Sequence, residues 1–287
     1  MSLLSYDFMQ RALVAALLVG LTAPAVGVFL VQRRMALMGD GIGHVALTGV
    51  ALGFLLGTAP VLTAVVVAAI GAVVIELVRQ HGRTSGDVAL ALMFYGGIAG
   101  GVLLIGLADD GGNATLLSYL FGSLTSVAPS DLAVICGLSV VLLGLLAVVG
   151  RELFAVCHDE EYARVAGLPV RTLNLLLAVM AAVTVTVAMR VVGLLLVSAL
   201  MVVPVATAQQ LVRGFRSTVV VALGVGVVSA LTGVTGSFYA DTAPGALIVI
   251  VALGVFALAS LGAAVLRRRR PPAALETMGL HLQEAGQ

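Results

Sequence analysis

Gln32-Arg-Arg-Met-Ala-Leu-Met-Gly-Asp40-Gly-Ile-Gly-His44-Val-Ala-Leu-Thr-Gly-Val-Ala-Leu-Gly-Phe-Leu-Leu-Gly57 opens on two arginines and closes as an apolar helix. Asp40 and His44 stand four residues apart, and on a helix that spacing puts both side chains on one face, one turn apart. A carboxylate and an imidazole so placed can grip one divalent cation, since Asp oxygen and His nitrogen are ordinary ligands of zinc and manganese. An aspartate entering a membrane helix costs about 2.5–3.5 kcal/mol on insertion scales, so its presence needs a structural or functional reason. Two readings stand side by side: a cation-binding pair, or an aspartate that caps its helix beside a histidine packed in the bundle.

The rest of the 287 residues makes the membrane setting general. The chain is 61% hydrophobic and 10% charged, with a mean hydropathy of +1.17, which is the composition of a polytopic helical membrane protein. A transmembrane β-barrel needs short alternating segments, whereas these apolar runs are about 20 residues long. The net charge of +1 argues against nucleic acid as a partner. All fifteen basic residues are arginine. Cys136 and Cys157 share no motif and imply neither a disulfide framework nor a metal site. The first ten residues lack a basic start and a cleavage site, so the first apolar run is expected to be a retained span.

Apolar windows fall at 12–31, 41–57, 60–78, 87–107, 131–150, 172–190, 192–212, 217–239 and 244–266. They predict an all-α fold of about nine spans, eight to ten depending on residues 114–128. That segment is too short and polar to cross and reads as a helix lying at the interface or dipping into the bundle. With the N-terminus outside, thirteen arginines face the cytosol and only Arg11 and Arg190 do not, the bias of the positive-inside rule. Residues 1–267 are read as one transmembrane domain and 268–287 as a flexible cytosolic tail. The small residues of Gly96-Gly97-x-x-Gly100-Gly101 and Gly224-x-Gly226 suit close helix packing.

One sizeable cytosolic loop, 151–171, carries Asp159, Glu160 and Glu161 where a helix N-terminus favours negative charge. Gly167 and Pro169 supply a stop. A short surface helix of about two turns is expected between them.

Three pieces in order resemble one family, the permease subunits of ATP-binding-cassette importers for zinc, manganese or iron(II), in particular the high-affinity zinc uptake type. They are Arg33-Arg34-Met35 followed by Gly39-Asp40-x-x-x-His44-x-x-Leu47-x-Gly49-x-Ala51; Asp159-x-Glu161-x-Ala163-x-x-x-Gly167; and Val192-Gly193-x-Leu195-Leu196-Val197-x-Ala199-Leu200-x-x-x-Pro204-x-Ala206-Thr207-Ala208. The likeness covers residues 11 to 266. It implies the fold of the vitamin-B12-importer-like (type II) permeases in a bacterial cytoplasmic (inner) membrane. It also implies a homodimer seated on two cytosolic ATPase subunits, with an extracytoplasmic metal-binding protein docking outside. Carried over residue by residue, Asp40 and His44 correspond to metal ligands in the translocation path. Asp159, Glu160, Glu161, Ala163 and Gly167 correspond to the helix that seats in the ATPase. This sequence departs from many relatives in having Gly41 and Gly43 around the pair, and these glycines are expected to loosen that helical turn.

The chemistry agrees with such an assignment. One Asp and one His make half of a tetrahedral zinc shell; a two-fold axis would add a second pair or leave positions for water. An incomplete shell suits a transporter, which must release its ion. Ligation needs a neutral imidazole, so transport is expected to weaken at low pH. The metal is cargo rather than a resident cofactor.

A secondary transporter of a small solute or metal ion, driven by an ion gradient, needs several intramembrane ionisable groups; here only Asp40, His44, Glu76 and Arg190 are available. An intramembrane hydrolase needs a nucleophile with a base, yet Ser198 lacks a Gly-x-Ser-x-Gly setting and no His-Glu-x-x-His occurs. Ser198 is better read as a helix–helix hydrogen-bonding group. No phosphate-binding Gly-x-x-x-x-Gly-Lys motif exists in a chain without lysine, so ATP hydrolysis belongs to a separate subunit.

Overall fold

The computed structural model describes residues 6–80, 86–107, 118–123 and 128–268. Ten helices account for nearly all of them: α1 (Asp7–Gln32), α2 (Met38–Leu55), α3 (Pro60–Gln80), α4 (Gly86–Gly106), α5 (Pro129–His158), α6 (Glu160–Val165), α7 (Val170–Ala188), α8 (Leu194–Leu211), α9 (Phe215–Ala240) and α10 (Pro244–Arg268). Among the described residues nine are long and apolar enough to span a membrane, all but α6. The expected count of nine is therefore found. Of the segment 114–128, only 118–123 and 128 lie within the described residues, and 269–287 of the expected tail lie outside them.

Helices α1, α2 and α7 form the most buried part of the bundle, whereas α4, α5 and α10 keep most of their surface outward. One wing is built by α2 with α3 and α4; the other by α8, α9 and α10. Helix α7 touches α2 and α3 on one side and α1 and α5 on the other, and α8 reaches both α1 and α2. Helix α7 also meets α8, and through α7 and α8 the two wings are joined.

Small residues decide how close the helices come. A Cβ built on Gly97 would lie 2.6 Å from the carbonyl carbon of His44, so α4 lies main chain against main chain on α2. Thr48 tightens the seam by donating its hydroxyl to the Gly97 carbonyl at 2.8 Å. In α1, Pro24 lacks the N–H that would bond the Gly20 carbonyl. Gly226 of α9 fits there, since a Cβ on it would meet both the Gly20 oxygen and Pro24 Cγ at 2.5 Å. The packing role expected of the glycine clusters thus falls on Gly97, Gly100, Gly101 and Gly226. Gly96 and Gly224 face space with nothing within 4 Å.

Two expectations are corrected. Helix α5 does not stop near residue 150 but runs 30 residues to His158, about 45 Å at 1.5 Å per residue and longer than the bilayer core. An apolar window ends at Arg151, yet the helix continues because Leu153 and Val156 stay buried on its inner face while Arg151 and Glu152 are exposed. The glycines around Asp40 do not loosen their turn either. Helix α2 is regular from Met38, with the Gly41 N–H bonded to the Leu37 carbonyl at 3.2 Å. A Cβ on Gly41 would meet Leu90 Cδ1 at 2.8 Å, and one on Gly43 would meet Leu194 Cδ1 at 3.0 Å. Both glycines make room for neighbouring helices.

Candidate functional site

Asp40 lies in the first turn of α2, but the N-cap of that helix is Leu37, and no side chain caps it. The capping reading of Asp40 therefore fails. Its carboxylate instead accepts a 2.5 Å hydrogen bond from the Ser198 hydroxyl of α8. Gly39, one residue earlier, faces the same helix, where a Cβ would stand in ordinary contact with the Ser198 Cβ at 3.5 Å. The expectation that Ser198 serves helix–helix bonding is met, and its partner turns out to be the candidate ligand itself.

His44 follows one turn later on the same face and is 8% exposed. Its ring stands edge-on to Phe94 of α4 with centroids 4.4 Å apart. Among the described residues Nδ1 is buried and has no hydrogen-bond partner. A buried polar nitrogen without a partner costs about 1–3 kcal/mol; a cation that accepted its lone pair would offset that cost. Among the described residues no cluster of three His, Cys, Asp or Glu side chains could hold a metal. Asp40 and His44 are thus joined by no third such side chain among the described residues.

The other two ionisable groups noted in the spans, Glu76 and Arg190, are each paired, although among the described residues Arg190 Nε is buried without a hydrogen-bond partner. Glu76 is buried, and it accepts from Arg79 Nε and Nη2 at 2.8 Å each and from Gln80 Nε2 at 3.0 Å. Arg190 pairs with Asp131 at the start of α5 and lies over the Tyr119 ring, 4.8 Å from its centroid. There the 118–123 segment presses on the connector between α7 and α8. Gly122 and Gly193 adopt φ +77° and +86°, and a Cβ on Gly193 would lie 2.4 Å from the Phe121 carbonyl carbon.

The short helix expected in the cytosolic loop is α6. Asp159 is its N-cap and accepts from the Tyr162 N–H at 2.9 Å, satisfying one of the free donors of the first turn. Its end is a Schellman motif: Leu168 N–H bonds the Ala163 carbonyl at 3.0 Å and Gly167 N–H the Arg164 carbonyl at 3.2 Å, with Gly167 at φ +82°. That left-handed conformation is the reason for a glycine there. Ala163 is buried against the bundle, Glu160 is half-buried, and Glu161, Tyr162 and Val165 are exposed.

Sequence reasoning placed Asp40 and His44 together, and the five α6 residues together, but the two groups are separate. It missed what stands between them. Arg33, read above as a cytosolic charge and as the start of the first matching motif, has a buried side chain that donates Nη2 to Glu160 at 2.6 Å and Nη1 to Asn174 of α7. A lone asparagine in the apolar run of α7 is the signal that could have drawn attention to this partner.

The sequence family described as the ABC 3 transport family matches residues 5–263. The manganese transport system membrane protein MntC of Halalkalibacterium halodurans is 36% identical, over 90% of this chain and 88% of its own length. The chelated iron transport system membrane protein YfeD of Yersinia pestis is 32% identical, over 89% and 85%. Among solved structures, PsaBC from Streptococcus pneumoniae in complex with Fab superposes with a TM-score of 0.81 at 31% identity, covering 90% of this chain and 92% of the matched one. The all-helical fold, with nine candidate spans among the described residues, is that of the type II importer permeases.

Proposed function

This chain belongs to the ABC 3 transport family, and from that premise we propose that it is the membrane permease of an ATP-driven importer whose cargo is a divalent transition metal held in passage by Asp40 and His44. The observation that carries this reading is the pair itself: a carboxylate set by Ser198 and, one turn on, an imidazole whose buried Nδ1 lacks a partner. Manganese stands first as cargo, because the names of relatives such as MntC point to it, and iron second after YfeD. Zinc, the type the sequence resemblance named, is to be assayed beside them, since all three metals accept Asp and His.

Two ligands per chain suit a homodimer that brings two pairs to one path. Helix α6 (Asp159, Glu160, Glu161, Ala163, Gly167) is the coupling element, offering exposed Tyr162 and Val165 to a separate cytosolic ATPase. A metal-binding protein delivers the cargo from outside the cytoplasmic membrane. The N-terminus is outside and the C-terminus, with the tail 268–287 beyond the 1–267 domain, is cytosolic. A gradient-driven carrier is less well supported, because Glu76 and Arg190 are both paired and are poor candidates for a proton relay. The test is metal uptake by cells with and without this chain, across manganese, iron and zinc, repeated without the ATPase subunit. Uptake of one of these metals that needs both chains is expected; uptake that persists without the ATPase overturns the reading.

A further inference from the structure

We propose that Arg33 is a positioning residue that carries movement of α6 to the base of α2, and so to Asp40. The proposal rests on the coupling reading of α6. Arg33 is the C-cap of α1, and its side chain is only 7% exposed. A guanidinium buried to that degree is tolerable when its donors are matched, and here they are split between two elements. Nη2 goes to Glu160, the first residue of α6, at 2.6 Å, and Nη1 to Asn174 on α7. A planar fork bonded this way moves with the carboxylate it holds, unlike a flexible ammonium.

From Arg33 to Asp40 there is little slack. Helix α1 ends in a second Schellman motif, with Arg34 N–H on the Val31 carbonyl at 3.1 Å and Met35 N–H on the Leu30 carbonyl at 2.9 Å. Arg34 takes the left-handed position at φ +58°, where a non-glycine residue costs about 1–2 kcal/mol. Helix α2 then begins at once, its Met38 N–H bonded to the Met35 carbonyl at 3.0 Å. Two back-to-back turns make a short, stiff lever whose far end is the first turn of α2, where Asp40 meets Ser198. The lever has room to swing. A cavity of about 190 Å³ opens beside it, lined by Arg34, Met35, Met38, Glu76, Arg79 and others. Displacing α6 therefore shifts the base of α2 and changes the hold on whatever Asp40 binds.

The test uses the full permease reconstituted with its ATPase subunits in proteoliposomes, with manganese as the probe. Four quantities are read: ATPase subunits retained, manganese bound without nucleotide, ATP hydrolysed, and manganese moved per ATP. Arg33→Gln and Arg33→Lys are expected to keep the subunits, the bound manganese and ATP hydrolysis, while manganese moved per ATP falls roughly tenfold or more. Arg171→Gln, an exposed arginine outside this network, is expected to match wild type. The swap Arg33→Glu with Glu160→Arg restores the ion pair and is expected to recover part of the transport. The proposal is overturned if both Arg33 variants transport per ATP as wild type does, or if their only defect is loss of bound manganese or of the ATPase subunits. Val165→Asp, on the exposed face of α6, separates the underlying reading. If it transports normally, α6 is not the docking element and the Arg33 proposal falls with it. If it releases the ATPase while Arg33→Gln and Arg33→Lys transport normally, the Arg33 proposal alone fails.

Discussion

Where α2 meets α4, main chain lies on main chain, with Gly97 so close to His44 that a Cβ would sit 2.6 Å from its carbonyl carbon. Where α1 meets α6, side chains do the holding: Arg33 reaches Glu160 at 2.6 Å, and within α6 Arg164 reaches the same carboxylate at 3.1 Å. The first contact has no freedom, because a close-packed seam yields only by separating. The second is ionic: Glu160 is half-exposed while Arg33 is buried, so the two groups can move together, but leaving the guanidinium without a partner is costly. A close-packed seam beside His44 and an ionic clasp at α6 are two kinds of contact, one set by main-chain packing and the other by paired side chains.

Breaking the seam is expected to have the largest effect on stability. Gly97→Ala forces α4 away from α2 and should cost about 3 kcal/mol or more, read as a lower unfolding temperature and a smaller folded yield in detergent. Gly96→Ala, one residue away with nothing within 4 Å, should be neutral or stabilising by up to about 1 kcal/mol, since alanine favours helix. Equal effects of the two substitutions would show that the seam does not set the fold there.

Weakening the clasp while leaving Arg33 a partner should do the reverse, with less lost in stability than in function. Glu160→Gln keeps a hydrogen bond to the buried Arg33 and should cost about 1–3 kcal/mol, yet uncouple uptake from ATP hydrolysis. Comparing thermal unfolding with uptake per ATP separates the two effects. A fall in both by the same measure would make the clasp merely structural.

A smaller effect sharpens the picture at the end of α6. Gly167→Ala places a side chain at φ +82° with no neighbour within 4 Å, so the expected cost is about 1–2 kcal/mol of backbone strain. Gly167→Leu should strain the backbone equally but obstruct whatever seats against α6. ATPase pull-down is predicted to distinguish leucine from alanine where melting curves do not.

Much of this was legible in the chain. The nine apolar runs gave the spans because the bilayer demands about 20 apolar residues per crossing, and Asp40 and His44 stood out because charge in a span is costly. Asp159 and Gly167 announced α6 by the chemistry of caps. The clasp was not legible: Arg33, Glu160 and Asn174 are 127 and 141 residues apart along the pairs they make, and no periodicity encodes such a meeting. The extension of α5 past Arg151 was hidden by its amphipathic character. Gly41 and Gly43 were misread because a glycine that loosens a turn and a glycine that admits a neighbouring side chain look alike until that neighbour is known.

The central claim, that Asp40 and His44 form one cargo site, is tested most directly by initial manganese uptake into proteoliposomes containing the complete transporter, with wild type, Asp40→Asn, His44→Ala and the double variant measured beside their unfolding temperatures. Asparagine keeps the size of Asp40 and can still accept from Ser198, but lacks the charge a dication needs. The account predicts that each single variant loses uptake by roughly a hundredfold or more, that the double is no worse than either because both act on one site, and that all four unfold within a few degrees of one another. Wild-type uptake by Asp40→Asn, or a double variant worse than both singles by the product of their losses, would contradict it.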